Sequence, residues 1–180
     1  MLSALKRLLN PRTPSRRTIE IIYGMIVAQA REPVFYQALN VPDTVNARFD
    51  MVVLHLWLIL RRLRALEAGG ELSQALFDRF CRDMDANLRE MGVGDLTVPK
   101  RMKKFGEAFY GRTAAYDAVL DQGGDALAEA LARNILNSND AARAAGLAAY
   151  VRTADAGLQA IDAAALQDAA WRFPQPEAAA

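Results

Sequence analysis

Residues 51–60 read MVVLHLWLIL, nine apolar side chains out of ten in an unbroken run. A helix built from them is greasy on every side, so it cannot lie on a surface with one face in water. A membrane span needs about 20 such residues. Here Asp50 on one side and Arg61-Arg62 on the other close the run at ten. The stretch from about 44 to 68 is therefore expected to be a buried central helix with others packed round it. Asp43 or Thr44 would cap its start, and Gly69-Gly70 would stop it.

The segments on either side carry helical spacing. Ile22, Met25, Ile26 and Gln29 recur at threes and fours until Pro33, which suits the first position of a short helix over "PVFYQAL". Over 71–91 the stripe is Leu72, Leu76, Phe80, Met84, Leu88 and Met91. A further helix is expected from 98 to 120, a shorter one from 125 to 136, and a last stretch that breaks near Gly157 and restarts with Asp162 as cap. No segment alternates in the manner of a strand. The fold class is all-α: a single-domain bundle of six to eight helices round the central one. The expected divisions are a basic, amphipathic or flexible segment over 1–17, a helical domain over 18–173, and a loose tail, "FPQPEAAA", with 174–180 flexible. Fourteen of the thirty residues from 141 to 170 are alanine, which favours helix but supplies little apolar area. That rear portion is either thinly packed or completed by a partner.

Composition removes several kinds of chemistry. Cys81 and His55 are the only residues of their types, so Cys/His zinc sites and Cys–His nucleophilic pairs have no material, save one built on His55 itself. Asp50, the nearest acid to His55 in sequence, sits roughly 140° round the helix from it. A buried histidine bonded to backbone or solvent is the expected role. Asp78, Arg82, Asp83 and Asp85 read as a lattice of surface charge rather than acid/base machinery. No catalytic, cofactor or metal residues are nominated, and no small-molecule substrate is expected.

Charge is unevenly spread although the net is only +1. Residues 1–17 hold five cations and no acid, whereas from Asp117 onward nine acids face four arginines. The stretch "MGVGDLTVPKRMKKFGEAFYGR" (91–112) concentrates the question. It lacks the phosphate-loop pattern and follows no strand, so Gly92 and Gly94 read as a helix exit, with Thr97 capping the next helix. On that helix Val98, Met102, Phe105, Phe109, Thr113, Tyr116 and Leu120 share one face, as core. Lys100, Arg101, Lys103 and Lys104 spread over the opposite arc with only Glu107 among them. Cations at a helix start oppose the macrodipole, so two readings stand: an ordinary solvated charged face, or compensation by an external anion, whether phosphate, an acidic partner or anionic lipid. Arg61, Arg62 and Arg64 form a second cluster, at a helix end that suits them.

Two long motifs carry a family likeness. "YGMIVAQAREPVFYQALNVPDTVNARFDMVVLHLWLILRRLRAL" and "MDANLREMGVGDLTVPKRMKKFGEAFYGR" resemble the ubiquinol–cytochrome c chaperone family, assembly factors of the cytochrome bc complex, from about Tyr23 to Tyr150. The resemblance implies an α-helical domain without catalytic activity. It implies as partners newly made cytochrome b, met near the ribosomal exit tunnel, and a small helical partner subunit. The compact, Ala/Arg-biased chain leans towards a bacterial member, acting in the cytoplasm or at the inner face of its membrane; a eukaryotic one would act in the mitochondrial matrix. The resemblance supplies no site residues. Charge alone nominates Lys100, Arg101, Lys103 and Lys104 for an anionic partner, with Arg61, Arg62 and Arg64 second. Two competing readings stay open: a ribosome- or RNA-binding module using the Lys100–Lys104 face, and a peripheral membrane module anchored by 1–17.

Overall fold

Thr44 opens the central helix by turning its hydroxyl to accept from the backbone N–H of Ala47, and the helix then runs Val45–Arg64 (α3). All ten residues of MVVLHLWLIL are buried, so the run without a polar face is surrounded by protein, as expected. Each buried Leu, Ile or Val contributes about 2 kcal/mol, an upper figure given residual burial in the unfolded chain. The chain is described by a computed structural model over residues 14–67 and 69–177. Most of the basic 1–17 segment lies outside the described residues.

The other described helices are Arg16–Ala30 (α1), Pro33–Gln37 (α2), Gly70–Glu90 (α4), Val98–Val119 (α5), Ala126–Leu131 (α6), Ala145–Gln159 (α7) and Ala163–Gln167 (α8). Helix α3 packs against α1, α4, α5 and α7. Ser15 caps α1 and Asp162 caps α8, each through a side-chain oxygen that accepts a backbone N–H. Among the described residues there is no strand. The small buried side chains of Ala144, Ala148 and Ala154 allow the rear of the bundle to close tightly.

Several elements depart from the periodicity. Helix α3 stops at Arg64 rather than near 68, because a turn intervenes in which Leu66 bonds to Leu63 and Gly69 bonds to Leu66. Gly69 is held against the chain: a Cβ there would stand 1.9 Å from the Leu63 carbonyl oxygen. Gly70 instead begins α4. Met91 does not belong to the buried stripe of α4. It is the residue after the last helical one and is 66% exposed. Gly92, at φ +79°, leaves the helix as expected, with Val93 N–H returning to Leu88. Thr97 makes no side-chain cap; its backbone is already in the helical region, and Gly94 O receives the N–H groups of Thr97 and Val98. The helix expected over 125–136 narrows to α6 and widens into a π-helical turn, Ala132–Leu136, which Asn137 ends in a left-handed conformation.

The largest departure is at the C-terminal side. "FPQPEAAA" is not loose from its first residue: Trp171, Phe173 and Pro176 are buried, and the Pro174 carbonyl accepts from Gln29 on α1. Residues 170–177 form a strap that meets the end of α1 at Gln29, the middle of α3 at His55 and the first turns of α7. Periodicity has no signal for such a segment, since its burial comes from single aromatic anchors rather than a repeating stripe.

Candidate docking surface

Polar groups inside a core show whether a chemical site is present. His55 is fully buried. Its Nδ1–H donates to the Met51 carbonyl at 2.7 Å, and its Nε2 accepts from the Tyr150 hydroxyl at 2.9 Å. Gln29 Nε2 in turn donates to Tyr150 at 3.1 Å and to Pro174 O at 3.0 Å. A carbonyl can only accept, which fixes the proton on Nδ1 and the direction of the whole chain of bonds. Burial pushes the imidazole pKa down to about 4, against the opposing bond to Met51. His55 is thus a neutral, satisfied strut, the role its surroundings in sequence predict.

Asp50 is also buried, and burial raises its pKa to about 6 although Arg112 opposes the shift. The Arg112 Nε lies 2.8 Å from Asp50 Oδ1, an ion pair whose N–H is not aligned for a proper hydrogen bond. Among the described residues no group of three or more His, Cys, Asp or Glu could hold a metal.

The arginines at the end of α3 are bonded within the molecule. Arg61 pairs with Asp121 at 2.9 Å and Asp155 at 3.3 Å, and lies 3.7 Å from Asp117. Arg64 reaches Asp117 at 2.8 Å, and Arg62 donates to the Ile161 carbonyl at 2.6 Å. The same Asp117 accepts from the buried Trp57 indole at 2.8 Å. This cluster ties α3 to α5, α7 and the turn before α8. Arg61 and Arg64 answer acids of their own chain, whereas Arg62 meets a carbonyl and Gln159, so for Arg61 and Arg64 an outside partner is not needed to balance their charge.

Lys100, Arg101, Lys103 and Lys104 stand differently. All four are exposed on the first turns of α5, opposite the face that Val98 and Phe109 bury. Lys103 lies 3.9 Å from Glu107, and the other three form no ion pair among the described residues. Just before them Leu96 is 99% exposed, and the loop's acid, Asp95, pairs back to Arg89 on α4.

Beside this edge, α1, α3, α4 and α5 leave an open groove of about 220 Å³. Phe49, Val52, Met84 and Phe105 line its floor, Val45 and Met91 stand on its rim at 68% and 66% exposure, and Arg31 and Arg48 flank it. Phe49 and Phe105 stack there at 4.8 Å. Arg48 is held by Asp43 at 2.6 Å, which leaves Arg31 without an ion pair among the described residues. Sequence reasoning assigned Val52, Met84, Met91 and Phe105 to core, made no assignment for Val45 or Phe49, and missed the groove. The available hint was Val45 and Met91, large apolar residues at helix ends where burial stripes run out.

The fold and this surface define an all-helical bundle with an apolar groove beside a strip of cations, most of them without an ion pair among the described residues. The chain belongs to the ubiquinol–cytochrome c chaperone family, whose profile matches residues 37–173, and the family is one of chaperones rather than enzymes. It is 28% identical over 134 residues to ubiquinol-cytochrome-c reductase complex assembly factor 1 of Xenopus laevis, covering 73% of this chain and 67% of that one. With mitochondrial protein CBP3 of Saccharomyces cerevisiae it shares 32% over 105 residues, 56% of this chain but 31% of the yeast protein. The crystal structure of the Cbp3 homolog from Brucella abortus matches with a TM-score of 0.81 at 38% identity, over 97% of both chains. The all-α bundle and the family resemblance expected from sequence are both borne out. No described helix is long and apolar enough to cross a membrane.

Proposed function

We propose that this chain is an assembly chaperone of the cytochrome bc complex that holds newly made cytochrome b, with its apolar groove taking an apolar segment of that client. The observation that carries the reading is the groove itself. It is open, aromatic-floored and methionine-bearing, a surface that can repack round varied apolar side chains. The family supports the assembly role, and the relatives' printed names place ubiquinol–cytochrome c reductase as their target. The work would be done where cytochrome b is made: the cytoplasmic face of a bacterial membrane, or the mitochondrial matrix. A small helical partner subunit fits the same proposal, as a cover for the groove when no client is present.

A photocrosslinking residue at Met91 or Phe105, activated during cytochrome b synthesis, tests this directly. Crosslinks to cytochrome b at these positions, and none from Thr153 on the exposed side of α7, are expected. Deleting the gene should lower cytochrome b in reduced-minus-oxidised spectra; undiminished cytochrome b and bc-complex activity would sink the proposal. A second reading, docking on the ribosome through Lys100, Arg101, Lys103 and Lys104, is favoured by the absence of internal partners for most of that strip. It requires salt-dependent sedimentation with ribosomes that charge reversal at the four positions removes.

A further inference from the structure

The loop between α4 and α5 carries a side chain that the protein itself leaves unused. Leu96 is 99% exposed, more than any other large apolar residue described, and Met91 at the other end of the loop is 66% exposed. The loop's own acid is neutralised by Arg89. Lys100, Arg101, Lys103 and Lys104 follow within two turns. Helical side chains lean towards the N-terminus, so these four are inclined towards the Leu96 end of α5.

We infer that this edge is a membrane-docking element, in which Leu96 enters the interfacial region of an anionic phospholipid bilayer while Lys100, Arg101, Lys103 and Lys104 meet the headgroup phosphates. An exposed aliphatic tip followed by four exposed cations matches that chemistry from both sides: the leucine gains by leaving water, and each cation gains in the negative surface potential. Nucleic acid would satisfy the cations but offers nothing to an aliphatic tip. Its single-stranded forms are gripped by aromatic platforms, and Phe105, the nearest ring on α5, faces the groove. Met91 belongs to both the loop and the groove rim, so docking by this edge would bring the groove mouth to the bilayer surface. The inference goes beyond the chaperone reading, and its test contains no cytochrome b, so either can fail without the other.

The experiment uses the full chain, with its basic 1–17 segment intact in every variant, and vesicles of phosphatidylcholine with or without phosphatidylglycerol. A double variant, Cys81→Ser with Leu96→Cys, is labelled at position 96 with an environment-sensitive dye; a control carries the label at position 153 instead. Anionic vesicles should shift the emission of the label at 96 to the blue and leave that at 153 unchanged. Leu96→Asp should weaken binding about tenfold, and reversing the four cations should weaken it on the order of a hundredfold. No blue shift at 96, equal affinity for neutral vesicles, or Leu96→Asp binding like the native chain would each overturn the inference. So would a charge-reversed chain that loses ribosome sedimentation while keeping vesicle binding, since that assigns the strip to nucleic acid.

Discussion

The imidazole of His55 and the hydroxyl of Tyr150 are joined by a 2.9 Å hydrogen bond across 95 residues, with Nε2 as the acceptor. That bond holds only while the ring is neutral. The unfolded histidine titrates near 6.5 and the folded one near 4, so the unfolded chain binds the extra proton first. His55 therefore contributes stability above about pH 6.5 that is lost as pH falls towards 4, on the order of 3 kcal/mol in all.

Asp50 has the opposite sign. Its folded pKa is raised to about 6 from an unfolded value of 3.8, so its contribution is fully present below the unfolded value and is lost as pH rises through 6. The two slopes oppose each other over one window. Urea unfolding from pH 4 to 7 should give His55→Gln a profile that rises on acidification relative to the native chain, and Asp50→Asn one that falls. Parallel profiles for all three proteins would refute the assignment.

Asp117 should matter through Trp57 more than through its arginines. The indole N–H is fully buried, whereas Arg64 is half exposed and its pair is screened by water. Asp117→Ala is expected to cost about 2 kcal/mol by orphaning that donor. Arg64→Ala should cost under about 1 kcal/mol. Asp117→Asn, which keeps an acceptor oxygen, should fall between them, as read by denaturant midpoints.

The two adjacent glycines should respond in opposite directions. Gly69→Ala drives a methyl group into the Leu63 carbonyl, a backbone atom with little room to yield, and should cost more than about 2 kcal/mol. Gly70 opens α4 with nothing within 4 Å of a new Cβ. Gly70→Ala should be neutral or raise stability by up to about 1 kcal/mol. Thermal unfolding of the pair distinguishes them.

Phe173 tests the strap. Its ring meets His55 edge-on at 5.1 Å and Trp171 at 5.2 Å. Truncation to alanine should cost about 3 kcal/mol, and Phe173→Leu should recover most of it. A loss below about 0.5 kcal/mol would mean that the strap contributes nothing to folding.

These cases also show what local sequence could and could not say. Helices α3, α4 and α5 were legible nearly to their ends, because large apolar residues at three-and-four spacing leave few alternatives. The two cationic clusters looked alike on paper. What separates them is that Arg61 and Arg64 find Asp117, Asp121 and Asp155, which stand 53 to 94 residues away, while most of the Lys100–Lys104 strip finds none. A fold decides that, not a window of sequence. The groove was illegible for a related reason: Phe105 has core periodicity, and only the spacing of α1, α3, α4 and α5 in the fold leaves it and Phe49 partly open.

The strap has a consequence in time. Gln29 and the Pro174 carbonyl it binds are separated by 145 residues of synthesis, and Phe173 closes over His55 at the same late stage. A ribosome that has already delivered α1 and α3 still holds back the piece that seals them. The cover on the central imidazole is thus made only after every described helix has been synthesised. A chain halted before Trp171 would therefore leave His55, midway along the most apolar helix, without the ring that meets it edge-on.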